Sequence, residues 1–328
     1  MILILENRSY NSIVGNAQAP YINSLLSNSH TALLTQSFGL THPSQPNYLM
    51  LYSGSNQGVT NNNVPASLPF TTLNLGGELI NNGFSFIGYS EGLPSVGSTV
   101  ATSGAYARKH NPWVNWQGTG VNGVPVASNR PLSDFPTDFN LLPALSVVVP
   151  DLNHDMHDGS IATGDAWIEA TLDAYIQWCV NNNSLFILTF DEDNGSSGNR
   201  ILSCFIGEDV KAGSYVQPIT HYNILRTVED LYQLSYAGAS ADSSAINGIW
   251  LSQQAVSYTL SGDGNWDDPV NWINNLVPHV TGSGSNIIID NTTGGQCILN
   301  ISYTVDAATK LTVMPGKKLV INGSLNIN

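Results

Sequence analysis

Three nearly unbroken apolar runs, Ile2–Leu5, Leu145–Val149 and Leu185–Phe190, are each followed within two residues by an acid: Glu6, Asp151 and Asp191. A fourth apolar run covers Phe84–Gly88. A strand with one wet face alternates apolar and polar side chains, whereas a continuous apolar run needs cover on both faces. The cover is present as helical spacing: Trp167, Ile168, Leu172, Tyr175, Ile176 and Cys179 after Gly164-Asp165, and Ile224, Leu225, Val228, Leu231 and Tyr232 after Thr220. Strands alternating with such helices predict an α/β fold around a mostly parallel sheet.

In that fold a ligand binds beyond the carboxyl ends of the strands, so the acids after the three runs should converge. Any one of them fits a turn or cap residue equally well. All three together stand out because only 10% of the 328 residues are charged, against about 25% in average soluble proteins. Glu6, Asn7, Asp191 and Glu192 form an all-oxygen set suited to Mg²⁺, Ca²⁺ or Mn²⁺, with Zn²⁺ the less suited alternative. The net charge of −14, from 24 acidic and 10 basic residues, opposes binding to a nucleic-acid backbone. An anionic substrate would need local help from a metal, histidines or helix N-termini.

Residues 92–144 read as long connecting loops. Beyond residue 250 the style changes: Gly262-Asp263-Gly264-Asn265-Trp266 and Asn271-Trp272 precede short β-rich runs, Asn286–Ile289, Leu311–Val313, Leu319–Ile321 and Leu325–Ile327. The last three read as rungs of a β-solenoid. The chain is thus expected to hold a catalytic domain over 1–250 and a small all-β, solenoid-like segment over 251–328. With no recognisable cap after Ile327, that second domain reads as truncated. Cys179, Cys204 and Cys297 lack C-x-x-C spacing; one bridge, Cys179 to Cys204, stays open. No apolar run reaches the ~18 residues of a membrane helix, and the opening Met-Ile-Leu-Ile-Leu, followed directly by Glu6, is too short for a signal-peptide core. The polar, Asn-rich, Lys-poor surface hints at export.

Ser44 lies between Pro43 and Pro46, ahead of the apolar stretch Tyr48, Leu49, Leu51. Prolines fix the backbone there, and a following helix would aim its amide N–H groups at whatever Ser44 holds. A cation lowering the hydroxyl pKa would make the serine a nucleophile; on spacing alone a helix-capping serine fits better. Asp151–Asp158 supplies His154 and His157 with Asp151, Asp155 and Asp158, enough for metal ligands or a proton donor with its orienting partner. An EF-hand reading of Asp191-Glu192-Asp193-Asn194-Gly195 fails because loop position twelve is Leu202, not Glu. A two-carboxylate glycosidase would need neither the bracketed serine nor the histidines.

In order, Glu6-Asn7-Arg8-Ser9-Tyr10, Ala19-Pro20-Tyr21-Ile22-Asn23, His42–Tyr48, Lys109-His110-Asn111-Pro112, Pro150–Asp158 and Asp191-Glu192 resemble the phosphoesterase family of bacterial and fungal acid phosphatases and phospholipases C, within the alkaline phosphatase superfamily. The resemblance spans about residues 1–235. It implies a three-layer αβα sandwich, a metal ion held by Glu6, Asn7, Ser44, Asp191 and Glu192, and Ser44 as the nucleophile that forms a phosphoserine. His110, Asp155 and His157 match catalytic positions, and Asn47, Asn111, His154 and Asp158 positions toward the substrate. Glu192 stands where a shorter Asp is also found in the family, which would shift metal position or affinity.

The resemblance also implies a small phosphoester substrate, an acidic or near-neutral pH optimum, and a secreted, periplasmic or cell-surface location. Chain length and the Pro43–Tyr48 wording favour a phosphomonoesterase. A phospholipase C-type phosphodiesterase is the alternative. Residues 251–328, similar to β-rich modules of exported bacterial proteins, raise the possibility of glycan or cell-surface contact, and with it an inactive adhesin. The intact Glu6, Asn7, Ser44, Asp191 and Glu192 oppose inactivity.

Overall fold

Strand β1 (Ile2–Leu5) is buried along its whole length, and its side chains alternate between two cores. Ile2 and Ile4 join Tyr48, Leu49, Trp113 and Ile224 on one side, while Leu3 and Leu5 join Ile22, Leu25, Ile168 and Leu172 on the other. Each such side chain taken fully out of water contributes roughly 1.5–3 kcal/mol, so both faces must be covered. The helices Ser44–Ser53, Leu75–Asn81 and His221–Tyr232 cover the first face. Pro20–Leu26 and Ile161–Cys179 cover the second. The result is an αβα sandwich in a computed structural model that describes residues 1–251, 257–275, 277–278, 285–305 and 309–327.

The remaining strands of the central sheet are β2 (Thr31–Phe38), β3 (Phe86–Ser90), β4 (Asn129–Pro131), β5 (Leu145–Val149), β6 (Leu185–Phe190), β7 (Arg200–Gly207), β8 (Gly213–Tyr215) and β9 (Ile219–Thr220). Their order is β8-β2-β7-β6-β1-β5-β3-β4, with β9 added beside β2. All pairings are parallel except those of β7. β1, β2, β3, β5 and β6 therefore finish at one edge of the sheet, and the residues after them gather there.

Three details differ from the sequence reading. The run at Phe84 enters the sheet two residues later, at Phe86. The helix expected from Gly164 begins at Ile161, where the Ser160 hydroxyl accepts from the Thr163 amide at 3.1 Å, supplying the cap that the spacing pattern hides. Residues 92–144 are also more than connecting loops. They place β4 at the sheet edge and bury Trp113 and Trp116. Gly88 makes room for that burial, because a Cβ there would lie 2.1 Å from the Trp113 ring.

Two compact units divide the chain, Met1–Trp250 and Leu251–Asn328. In the second unit short parallel strands stack in register: Asn286 beside Lys310, Cys297 beside Leu319, Ser302 beside Ser324. The runs at 311, 319 and 325 thus lie in three different sheets as sides of one turn, not as successive rungs. Trp266 and Trp272 pack edge to face at 5.1 Å inside its core. All three cysteines are free and buried, and among the described residues no helix is long and apolar enough to cross a membrane.

Candidate active site

The loop from β2 to the helix Ser44–Ser53 is threaded tightly under the acidic turn after β6. Gly39 permits this, because a Cβ would stand 2.7 Å from the Asp191 carbonyl oxygen. Pro43 is extended and Ser44 opens the helix. Asn47, one turn on, fixes the loop: its Oδ1 accepts from the Leu40 and Thr41 amides (3.0 and 3.1 Å), and its Nδ2 donates to the Thr41 carbonyl (2.8 Å) and to Glu192 Oε2 (3.1 Å). Backbone bonds bring in the other strand ends. The Asp191 amide donates to the Leu5 carbonyl at 3.0 Å, and the Glu6 amide to the Asp155 carbonyl at 2.8 Å. Asn7, in the left-handed region at φ 54°, turns its amide onto Asp191 Oδ1 at 3.2 Å.

These constraints converge on one hydroxyl. Ser44 Oγ donates to Glu6 Oε2 at 2.9 Å and lies 3.4 Å from Glu192 Oε1. His110 sits on the far side of Glu6, with Nε2 2.9 Å from Glu6 Oε1 and Nδ1 3.1 Å from Asp155 Oδ2. Tyr48 stacks on its ring at 5.0 Å and 13°. Every one of these side chains is buried. Yet Glu6 Oε1, His110 Nε2, Asp155 Oδ2 and Asp191 Oδ2 meet no described group in hydrogen-bond geometry. The His110–Glu6 contact is close without being aligned.

Charge sets the protonation pattern. Burial alone would raise the Glu6 pKa, but the His110 imidazolium, with Lys109 beyond it, outweighs burial and brings it to about 2. Burial likewise favours neutral His110, and Glu6 with Asp155 reverses this, holding the imidazole at about 9. Among the described residues no cation offsets Asp191: burial first, then the charges of Glu6 and Glu192, push its carboxyl well above the usual range. Burial also raises Glu192, against the pull of His42, whose Nδ1 lies 3.1 Å from Glu192 Oε2.

The donor set therefore has carboxylate oxygens without partners and too little positive charge, the two properties a bound hard cation corrects. Ser44 joins Glu6 to Glu192, and both carboxylates act by charge on Asp191; among the described residues, ligand atoms within 4.8 Å of one another are those of Glu6, His110 and Asp155, a set that leaves out Asp191 and Glu192. Asn7 contributes its backbone amide to Asp191. A possible metal site is thus present, and the residues fit the ion.

The other sequence candidates lie at different depths. His157 is at the rim, its ring 6.1 Å from that of His110, its Nδ1 2.7 Å from Asp158 Oδ1 and its Nε2 3.4 Å from Lys109 Nζ. Asp158 is exposed. Asn111 is buried and accepts from Ser90 Oγ at 2.7 Å. His154 faces a separate group, with Nδ1 2.9 Å from Glu91 Oε2 and 3.2 Å from Asp151 Oδ1, and stacks on Trp167.

Sequence reasoning passed over His42, Tyr48 and Glu91. For His42 and Tyr48 the signal was their place in the Ser44 segment. Glu91, a lone acid after β3, carried none. Asp193, which resembled a calcium ligand, instead accepts the amides of Gly195, Ser197 and Asn199 and shapes the acidic turn.

The model of the phosphoesterase family matches residues 16–235, a stretch that begins after Glu6 and Asn7. The chain is 47% identical over 255 residues to the phosphatidylinositol-3-phosphatase of Mycobacterium tuberculosis, covering 76% of this chain and 82% of that one. It is 26% identical to an acid phosphatase of Aspergillus fumigatus (71% and 54% covered) and 27% identical to a probable acid phosphatase of Kluyveromyces lactis (72% and 58%). The chain thus spans little more than half the length of these fungal relatives. Among solved structures, an alkaline phosphatase superfamily protein from Vibrio parahaemolyticus superimposes with TM-score 0.52 at 10% identity, covering 76% of this chain and 70% of that one. A phosphonate monoester hydrolase from Silicibacter pomeroyi gives 0.51 at 9%, covering 76% of each. Both show the fold.

Proposed function

Because this chain belongs to the phosphoesterase family, as a phosphoric ester hydrolase, we propose that it cleaves phosphate monoesters through a phosphoserine at Ser44. The observation that carries this reading is the Ser44 hydroxyl held between Glu6 and Glu192 at the carboxyl edge of the sheet. Ser44 Oγ attacks phosphorus and its proton passes to a carboxylate it already touches. His110, held as an imidazolium by Glu6 and Asp155, stands behind Glu6 and offsets the negative charge of the two carboxylates beside the phosphoryl group. His157, oriented by Asp158, protonates the departing ester oxygen. Water then takes phosphorus from Ser44, and the serine recovers its proton.

Glu6, Asp191, Glu192 and Ser44, with Asn7 adjacent, would hold a divalent cation of the Mg²⁺, Ca²⁺ or Mn²⁺ kind, which supplies a lowered hydroxyl pKa and neutralises charge between carboxylates and phosphate. Asn47 works through Glu192 and the Thr41 loop, and Asn111 through Ser90, rather than as direct substrate contacts. The 47% identical phosphatase acts, by its name, on a phosphorylated inositol lipid, which supports a monoester on a polyol headgroup as the substrate class. The polar composition supports export.

The test is hydrolysis of p-nitrophenyl phosphate by wild type and Ser44→Ala, each with and without a chelator. A fall in kcat of about 10³-fold or more in the variant is expected, and near-normal turnover by Ser44→Ala would remove the mechanism. Equal or better turnover of bis-p-nitrophenyl phosphate would shift the reading to a phosphodiesterase.

A further inference from the structure

Two polar side chains beside the active site are buried with hydrogens that meet no described acceptor. Arg108 retains 3% of its surface and Tyr106 1%. Arg108 Nε and Nη1 and the Tyr106 hydroxyl meet no described hydrogen-bond partner. They stand two residues apart, Tyr106 in the short strand Tyr106–Ala107 and Arg108 opening the helical turn that follows it, and the phenol acts on the guanidinium charge. Only backbone atoms of Arg108 are engaged: its amide donates to the Ala101 carbonyl and its carbonyl accepts from the Asn111 amide. The Asn111 side-chain amide approaches the phenol and can donate to its oxygen, but cannot accept its hydrogen, because Asn111 Oδ1 is taken by Ser90.

Such an arrangement is unstable by itself. A guanidinium cannot shed its proton inside a protein, and a buried charge needs a partner. The chain has 24 acidic residues to 10 basic ones, yet no described carboxylate is paired with this arginine. Other arginines show the contrast: Arg226 pairs with Asp230, Arg200 donates to the Thr35 carbonyl and lies over Tyr10, and Arg8, though its Nε is unmatched, donates to the Asn7 and Gly159 carbonyls. Both unpartnered groups offer hydrogens, so what is missing is an acceptor. A guanidinium fork beside a phenol matches an oxyanion with several oxygens.

We propose that Arg108 and Tyr106 form a second oxyanion site, one that receives a phosphate group in addition to the ester cleaved at Ser44. It rests on the phosphoesterase reading for its link to turnover. Arg108 is two residues from His110, so the site lies on the segment that furnishes the Ser44 centre with its imidazole. The anion is either a second phosphate on the substrate or free inorganic phosphate.

Two arms distinguish these sources. In the first, kcat/KM is measured for fructose 6-phosphate and fructose 1,6-bisphosphate with wild type, Arg108→Met and Arg108→Lys. A substrate-borne phosphate predicts a wild-type preference for the bisphosphate that drops about tenfold in Arg108→Met, one lost charge-assisted contact, and is partly restored in Arg108→Lys. In the second, thermal unfolding of Ser44→Ala and of Ser44→Ala with Arg108→Met is followed as inorganic phosphate is added. A phosphate-dependent rise in Tm that the second substitution abolishes, with the kinetic preference unaltered, assigns the site to free phosphate.

Without phosphate, Arg108→Met should melt no lower than the parent, since it removes an uncompensated charge. A lower Tm combined with unchanged selectivity and unchanged phosphate stabilisation would make Arg108 a structural arginine and overturn the proposal. The unfolding arm needs no turnover, so it stands even if Ser44→Ala proves active and the phosphoserine mechanism fails.

Discussion

Two groups of carboxylates and histidine sit at the same sheet edge, and they differ in what their atoms are bound to. In the Glu6–Ser44–His110–Asp155–Asp191–Glu192 group the side chains are buried and several oxygens have no partner. In the Glu91–Asp151–His154 group, half-buried, acceptors are matched by the protein's own donors. Glu91 Oε1 receives Trp167 Nε1 at 3.1 Å. Its Oε2 receives the Asp151 amide at 3.0 Å and faces His154 Nδ1, and Asp151 Oδ1 receives the Asn153 and His154 amides. The second group is a clasp that fixes the loop carrying Asp155 and His157. Similar residue types thus give a place for an incoming ligand when left unsatisfied, and a structural lock when satisfied.

The comparison breaks first, if it is wrong, at Asp191. Asp191→Asn keeps the Oδ1 acceptor for the Asn7 and Glu192 amides while removing a buried charge. Turnover of p-nitrophenyl phosphate should fall about 10²- to 10³-fold, and Tm in chelator should hold or rise, because ionised Asp191 is opposed by burial and by Glu6 and Glu192. Loss of both activity and stability would place Asp191 among structural acids. Next comes cation binding. Added Mg²⁺ or Mn²⁺ should raise Tm in wild type and in Glu91→Leu, by mass action on the folded form, and leave Asp191→Asn unmoved. A rise lost in Glu91→Leu would move the ion to the clasp.

Glu91→Leu itself should cost about 1–3 kcal/mol by stranding the Trp167 and His154 donors, read as a lower denaturant midpoint, with kcat changed less than about tenfold. The last effect concerns pH. Burial holds His221 at about 4, below its unfolded value near 6.5, and its Nε2 donates to the Phe190 carbonyl at 3.0 Å. Its stabilisation is complete above pH 6.5 and lost as pH falls through 4, with about one proton taken up on unfolding in between. His221→Gln should flatten the pH dependence of Tm over that window; an unchanged slope would assign the dependence to other groups.

Much of this was legible in the sequence. The apolar run Ile2–Leu5 requires two covered faces, and parallel strands send Glu6, Asp151 and Asp191 to one edge. Ser44 was marked by its prolines. What stayed hidden depends on contacts between distant segments, which periodicity does not encode. His154 and Asp155 are neighbours in a loop without regular spacing, and only the folded backbone turns one toward Glu91 and the other toward His110. β4 is three residues long, too short for a pattern. The solenoid runs were recognisable, but their stacking partners lie a full turn earlier in the chain.

Gly39 bears on how narrowly the site is tuned. The chain entering the serine loop passes so close to the Asp191 carbonyl and the Asn199 side chain that one added methyl would meet atoms at 2.7 and 2.8 Å. The serine and the acidic turn can adopt their present separation only with a hydrogen at that position. The span between the Ser44 hydroxyl and the carboxylates is in effect gauged by an absent carbon.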